Sequence, residues 1–416
     1  MRVSRALLLI VGGGFLVRLM LIAWRVSTHA VQTWEYDAIA RNILSGSGYV
    51  ADHLGTPYRS LYPGVFYIGL TALLYGMFPP GQTAVLIAQA IGSVLLGMTV
   101  YGIGRELWDH RAGLLAAALT VFHPGLLYYD TVNLHPLGFD ALTGALAMLA
   151  LLRVRATTSL ASLVGIGMVL GVALHQRMSL IGLFPAGLLW IWTRPGSSRR
   201  VGRVAVCAVG LLVVVSPWIM RNIRMFGHPV MSTAMGEMAW RGNAPGGDGS
   251  SYLPSGTTVL DAAPAEFRQQ LRAADEWGQS QLFSRAAGAH ASAHPWQWAA
   301  GCARKFLYFW TVGPGTGRLY PRAYYVIYLL YYAGAMLLAV RGAVRLAAAE
   351  RRTVDGSDGV WLVAATGLLL SLVQCLLYVE LRHRWAIEPL LLVLTAVGVV
   401  APWPRHRWAG APAETI

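Results

Sequence analysis

About ten apolar runs, with arginines clustered in every second gap between them, restrict this chain to a membrane. The runs cover approximately residues 6–26, 82–104, 112–128, 137–152, 158–176, 178–193, 204–220, 324–340, 360–378 and 386–403. Several fall a little short of the roughly 20 residues that a helix needs to cross a bilayer. Arg2/Arg5, Arg105/Arg111, Arg153/Arg155, Arg194/Arg199/Arg200/Arg203, Arg341/Arg345/Arg351/Arg352 and Arg405/Arg407 occupy alternate gaps. Positive charge is retained on the cytoplasmic side, so the pattern predicts cytoplasmic termini and an all-α integral membrane fold of about ten helices. Charged residues make up only 12% of the chain, against roughly one quarter in a soluble domain. The net charge of +14 does not call for nucleic acid, because the basic residues sit in short gaps and no nucleic-acid-binding motif accompanies them. Cys207, Cys302 and Cys375 are odd in number and lack CxxC spacing, so neither a disulfide framework nor a zinc site follows.

The first run has the basic flank of a signal peptide, but Trp24-Arg25 stands where a small-residue cleavage site would be, which reads as a retained anchor. Counting the apolar run 62–78 as a span would invert every later arginine group. It is therefore expected to lie in the outer interface or to re-enter, with Tyr62, Phe66 and Tyr67 at headgroup level. The resulting organisation is an N-terminal transmembrane module (1–220) with a chemically important first outer loop (27–81). A large extracytoplasmic loop (221–323) with interfacial helices follows, then a C-terminal transmembrane module (324–416). Within the large loop, 242–256 is turn-rich. Pro264 and Glu266 open a helix on which Phe267, Leu271, Ala274 and Gly278 are spaced, and Pro295 opens a second bearing Trp296, Trp298, Phe306 and Trp310.

Chemistry is expected at the outer ends of the spans. In Thr33–Asn42, Asp37 and Arg41 share one helical face, and Glu35 and Ile39 share another. Either the pair is a surface ion pair with Glu35 merely solvated, or Glu35 is a general base at the membrane surface with Asp37 as the alternative. Asp130, Asn133, His135 and Asp140 form a second cluster, suited to sugar or acceptor contacts or else to a hydrated loop in which Asp140 caps a helix. Arg59, Arg177, Arg221, Arg224, Arg241, Arg382 and Arg384 face outward. A guanidinium fork matches a phosphate, and the plainer reading is contact with lipid headgroups. Arg384 stands four residues from both Glu380 and Glu388 and is partly self-neutralising. Arg177, beside His175 and Gln176 between two tightly linked spans, is remote from bulk water, which favours function.

Several stretches in order resemble the GT-C glycosyltransferases, in particular the family 39-like group of protein O-mannosyltransferases and lipid A aminoarabinose transferases. They are Glu35–Tyr49, with its glycine-rich end; Tyr58-Arg59-Ser60-Leu61-Tyr62-Pro63; and Phe122-His123-Pro124. Ser216–Gly227, Trp240-Arg241-Gly242-Asn243 and Glu380–Pro389 complete the set. The resemblance spans most of the chain, and its specificity lies in order and topology together. Where the best-known members carry an Asp-Glu pair, this chain has Gln32 and Thr33, and the acid is Glu35.

The resemblance implies a sugar donor linked through one phosphate to a polyprenyl chain, with an anionic polyprenyl phosphate as leaving group. It assigns Glu35 or Asp37 to catalysis. It assigns Arg59, Arg177, Arg221, Arg224, Arg382 and Arg384 to the donor phosphate. Tyr58, Tyr62, Asp130, Asn133, His135 and Asn243 would meet sugar or acceptor. No cofactor or metal is expected, since guanidinium groups supply the positive charge and no outer His/Asp/Cys set has ligand spacing. The expected partners are that donor, membrane lipids and an acceptor lipid, glycan or protein, with no nucleic acid, in the inner (plasma) membrane. A lipid transporter or flippase is the competing class. It would call for inverted repeats and paired broken helices, which the sequence lacks, and would leave the large outer loop unexplained. A polymerase or ligase of lipid-linked glycans is a second alternative.

Overall fold

Backbone amides cannot remain unpaired in hydrocarbon, so each apolar run must close its hydrogen bonds as helix. The computed structural model describes residues 4–79, 81–194, 199–313, 320–350 and 359–402. Arg2, Arg351, Arg352, Arg405 and Arg407 lie outside the described residues. In chain order the elements begin with α1 (Arg5–Thr28), α2 (Glu35–Leu44), β1 (Ala51–His53), β2 (Thr56–Tyr58) and α3 (Val65–Met77). Next come α4 (Gln82–Leu107), α5 (His110–Val121), α6 (Pro124–Val132), α7 (Leu137–Leu152) and α8 (Leu160–Gln176). A 3-10 turn (Met178–Gly182) leads to α9 (Leu183–Thr193) and α10 (Arg200–Phe226). The outer segment carries α11 (Met235–Asn243), α12 (Ala265–Ala273), α13 (Glu276–Ala293) and α14 (Pro295–Trp310). The chain then runs through α15 (Arg322–Glu350), α16 (Gly359–Cys375), α17 (Arg382–Trp385) and α18 (Glu388–Val400).

Over their described residues the ten apolar runs are mostly helical, the third broken at 122–123 and the sixth opening as a 3-10 turn. By length and composition α1, α4, α10 and α15 can each cross a membrane alone, and α5 with α6, bent by 45°, makes a fifth such span. The bend falls at Phe122-His123-Pro124. Proline has no amide to continue the ladder, and His123 Nδ1 accepts from Leu126 N (3.0 Å) to start α6 afresh. Helix α3, from the problematic 62–78 run, has 13 residues, about 20 Å of rise against a hydrocarbon core of about 30 Å. Its Tyr67, Ile68 and Tyr75 are buried.

Without a hydrophobic drive between helices in lipid, close packing decides which helices associate. A methyl on Gly167 would sit 1.9 Å from the Cys207 carbonyl oxygen, and one on Gly210 would sit 2.1 Å from that of Val164. Helices α8 and α10 therefore touch backbone to backbone. Gly342 and Gly398 do the same for α15 and α18. Leu9, Leu330 and Leu337 point outward, as lipid-facing residues should.

The outer segment departs from expectation at one point. The helical spacing running through Gly278 is broken after Ala273: Asp275 caps a new helix by accepting from Gly278 N (2.8 Å). Asp140 does not cap α7 either. Pro136 holds the cap position without a side-chain bond, and the Asp140 carboxylate is drawn to Arg177 instead.

Candidate active site

Five segments converge on one cavity of about 450 Å³ at the ends of α8 and α16. The first is brought in by a short bridge: Gln32 N donates to Val132 O (3.2 Å), and Leu134 N donates to Gln32 O (2.9 Å). That bridge lays Trp34-Glu35 beside His135, whose ring meets Trp34 edge-on at 5.4 Å. The β1–β2 hairpin turns on Leu54 and Gly55, both at positive φ, as a two-residue hairpin turn requires. It delivers His53. Helix α11 supplies Glu237 and Arg241, the end of α8 supplies Gln176 and Arg177, and the segment after α16 supplies Glu380, Arg382 and His383.

Most charges in this cavity are paired. Arg177 reaches Asp140 (3.2 Å), Arg382 reaches Glu380 (2.8 Å) and Arg241 reaches Glu237 (2.5 Å). His53 Nε2 also meets Glu237 (2.7 Å). Burial works against the Glu237 anion, but the His53 hydrogen bond and Arg241 outweigh it and hold its pKa below the ordinary range. Burial disfavours the Arg382 cation, yet Glu380 more than restores it. Glu35 is different. It lines the cavity, and its Oε2 is buried without a hydrogen-bond partner among the described residues. Tyr36 stacks on Tyr62 (4.8 Å), and burial holds both phenols well above their usual pKa, so they stay neutral.

Of the residues singled out from sequence, Glu35, Tyr62, His135, Asp140, Arg177, Arg241 and Arg382 line the cavity together. The others lie elsewhere, each for a visible reason. Asp37 is tied to Arg41 (3.0 Å) and to the Tyr75 hydroxyl, joining α2 to α3. Arg384 is buried against Glu388 (3.3 Å) and donates to Phe309 O (2.5 Å) and Tyr328 (2.7 Å). Asp130 pairs with Arg18 of α1 (3.0 Å) and accepts from Ser93. Arg221 donates to Arg59 O (2.9 Å) and lies over Trp218, while Arg59 and Arg224 are exposed. Tyr58 donates to Gln279 (2.7 Å), Asn243 accepts from Lys305 (2.8 Å), and Asn133 O accepts from Gln89 (2.9 Å).

Sequence reasoning passed over His53, Glu237 and His383, and it missed Arg18, an arginine in the middle of an apolar run. Arg18 was the one with a signal, since a charge within a span needs a partner. Among the described residues, no three His, Cys, Asp or Glu side chains converge as metal ligands.

Comparison with known proteins gives the same fold. No curated protein matches the chain. The oligosaccharyltransferase of Archaeoglobus fulgidus in its apo form superposes at TM-score 0.55 with 13% identity, covering 94% of this chain and 50% of that one. The archaeal oligosaccharyltransferase AglB from Archaeoglobus fulgidus, in complex with an inhibitory peptide and a dolichol-phosphate, gives 0.52 and 16%, with 94% and 50% coverage. ArnT from Cupriavidus metallidurans bound to undecaprenyl phosphate gives 0.46 and 16%, with 89% and 76% coverage. The chain thus spans about half the length of the oligosaccharyltransferases it resembles. Residues 63–220 match the family described as dolichyl-phosphate-mannose-protein mannosyltransferase. The chain is a multi-pass helical membrane protein with the fold of these oligosaccharyltransferases, and its residues 63–220 are similar to the family described as dolichyl-phosphate-mannose-protein mannosyltransferase.

Proposed function

We propose that the chain moves a sugar from a polyprenyl-phosphate-linked donor to an acceptor on the extracytoplasmic face of the inner membrane, with both termini cytoplasmic. The observation that carries this reading is the Glu35 carboxylate, without an ion pair among the described residues, in one cavity with Arg177 and Arg382. The dolichol-phosphate in the AglB complex supports a lipid phosphate as the ligand of this fold.

The step is a single inverting displacement. Glu35 accepts the proton of an acceptor hydroxyl or amine as its oxygen or nitrogen bonds to the anomeric carbon. The bond from that carbon to the phosphate oxygen breaks, and the electron pair leaves on polyprenyl phosphate. Arg177 and Arg382 meet that charge with the N–H groups their carboxylate partners leave over. Those partners also hold the forks in place before donor arrives, so less ordering remains to be done at binding. No metal is needed where fixed guanidinium groups already face the leaving group. Tyr62 lines the space for sugar or acceptor.

The test is reconstitution of the full chain in nanodiscs with a panel of polyprenyl-phosphate sugars and an envelope extract. We expect release of polyprenyl phosphate, one added sugar mass on an acceptor, an inverted anomeric configuration and no loss of rate with a chelator. Movement of intact glycolipid across the bilayer without cleavage would replace this reading with the transporter one.

A further inference from the structure

Two histidines in the cavity wall are fixed as neutral hydrogen-bond donors, and this assigns them a role that their charge would not suggest. His135 Nδ1 receives the backbone N–H of Leu137 (3.2 Å). His383 Nδ1 receives the backbone N–H of Glu380 (3.2 Å), and the Gln374 amide nitrogen lies 3.1 Å from the same atom. A backbone N–H can only donate, so neither Nδ1 carries a proton. In a neutral imidazole the proton must then be on Nε2. Burial, with Arg382 and Arg177 nearby, lowers the pKa of both rings well below the usual histidine range, His135 by Arg382 more than Arg177 and His383 in the reverse order. Both rings line the cavity; no hydrogen bond to the His135 Nε2 occurs among the described residues, and the Tyr378 backbone lies beside the His383 ring.

We propose that the Nε2–H groups of His135 and His383 donate to oxygens of the donor's phosphate, completing the set begun by Arg177 and Arg382 without adding charge. This rests on the donor reading above. The chemistry favours it in two ways. The two guanidinium groups are already matched by Asp140 and Glu380, so a further cation would have to be neutralised again. A neutral N–H also stabilises charge that appears only as the leaving group departs, at little desolvation cost beforehand. It further removes both rings as competitors for the acceptor proton: Nδ1 is occupied and Nε2 is already protonated, which leaves Glu35 as the base.

Asparagine is the informative replacement, because its Oδ1 can keep the bond from Leu137 N or Glu380 N while the cavity donor disappears. We expect His135→Asn and His383→Asn in nanodiscs to bind undecaprenyl monophosphate about tenfold to a hundredfold more weakly than wild type, the range for a hydrogen bond to a charged group. In 15N-histidine-labelled wild type, both rings should show the neutral Nε2–H tautomer, with the Nε2 signals moving when the monophosphate is added. Cationic or Nδ1–H rings would overturn the proposal even if a variant fails to fold. So would Asn variants that bind the monophosphate like wild type, or that lose affinity only for the sugar-bearing donor. Wild type failing to bind any polyprenyl phosphate would instead bring down the donor reading itself.

Discussion

The cavity and the helix-packing core beneath it use the same residue types in opposite ways. In the core, Arg18 and Asp130 are each 1% exposed, and so are Arg384 and Glu388. One further donor of each goes to a carbonyl oxygen, Val121 O (2.7 Å) for Arg18 and Phe309 O for Arg384. His123 completes the second group, 3.1 Å from Glu388. In the cavity, the side chains of Arg177, Arg241 and Arg382 are 15%, 29% and 12% exposed, and Glu35 has no ion partner among the described residues. A buried charge in a membrane protein is therefore a poor marker of chemistry by itself. What separates the two regions is access: the arginines of the cavity open onto a space that a ligand can enter, and those of the core do not.

The largest effect should come from breaking the core. Arg384→Met removes one partner and leaves Glu388 buried with less compensation, at a cost of roughly 3–5 kcal/mol. The purified variant should lose folded protein at markedly lower temperature, whereas Arg382→Met should not. Equal melting of the two would erase the distinction drawn between the regions.

Next comes Glu35→Gln, which keeps shape and removes the base. Turnover should fall by about a hundredfold or more, with donor affinity preserved. Asp37→Asn serves as the contrast: it loosens the link from α2 to Arg41 and Tyr75, lowering stability while turnover per folded molecule stays within a few-fold. A dead Asp37→Asn with an active Glu35→Gln would exchange the roles of two acids that stand two residues apart.

That pair also shows what the sequence could and could not disclose. The apolar runs and the proline-marked helix starts at Pro264 and Pro295 were legible, because periodicity and helix starts are local; the bend that splits the 112–128 run was not read, and Asp140 was misread as a cap. The i,i+4 pairing of Asp37 with Arg41 was legible for the same reason. Spacing alone could not show that Tyr75 of α3 completes the Asp37 site, nor that Gln32 pairs with the 132–134 segment and carries Glu35 to His135. Arg382 and Arg384 look alike in sequence, two residues apart on one short segment. One turns to the cavity and the other to Phe309, and only the packing of α14 against α17 decides between them. His53 and Glu237 come from segments 184 residues apart, which no local pattern connects.

A smaller effect should separate the two kinds of arginine. Arg177→Lys and Arg382→Lys keep the charge and lose the fork, so donor affinity should fall by about tenfold while thermal stability changes little. Arg221→Lys, outside the cavity, should leave affinity unchanged. Loss of affinity in Arg221→Lys alone would move the phosphate site to the outer end of α10.

Lys305, the sole lysine of the chain, tests the boundary between the regions, and its effect is the smallest. It is fully buried, and Nζ donates to Asn243 Oδ1 (2.8 Å) and Leu377 O (3.1 Å), so it fastens the wall that carries Arg241 and Tyr378. These partners are neutral oxygens, and no carboxylate offsets the lost hydration. Burial accordingly pushes its pKa down to about 8 from the ordinary 10.5. Below pH 8 both folded and unfolded chains hold the proton, and the full cost of the buried cation is present. As pH rises from about 8 towards 10.5 the folded chain sheds the proton first. The unfolded state then binds more protons, and stability rises with pH. Between pH 7 and 9 the gain should be on the order of 1 kcal/mol. Lys305→Met, with no titrating group, should flatten that rise in a denaturation series over the same range while leaving other slopes in place. A wild-type series that falls from pH 7 to 9, with the variant falling in parallel, would mean that Lys305 does not titrate there. The cation would then be held by the wall as firmly as the arginines of the core are held by their carboxylates.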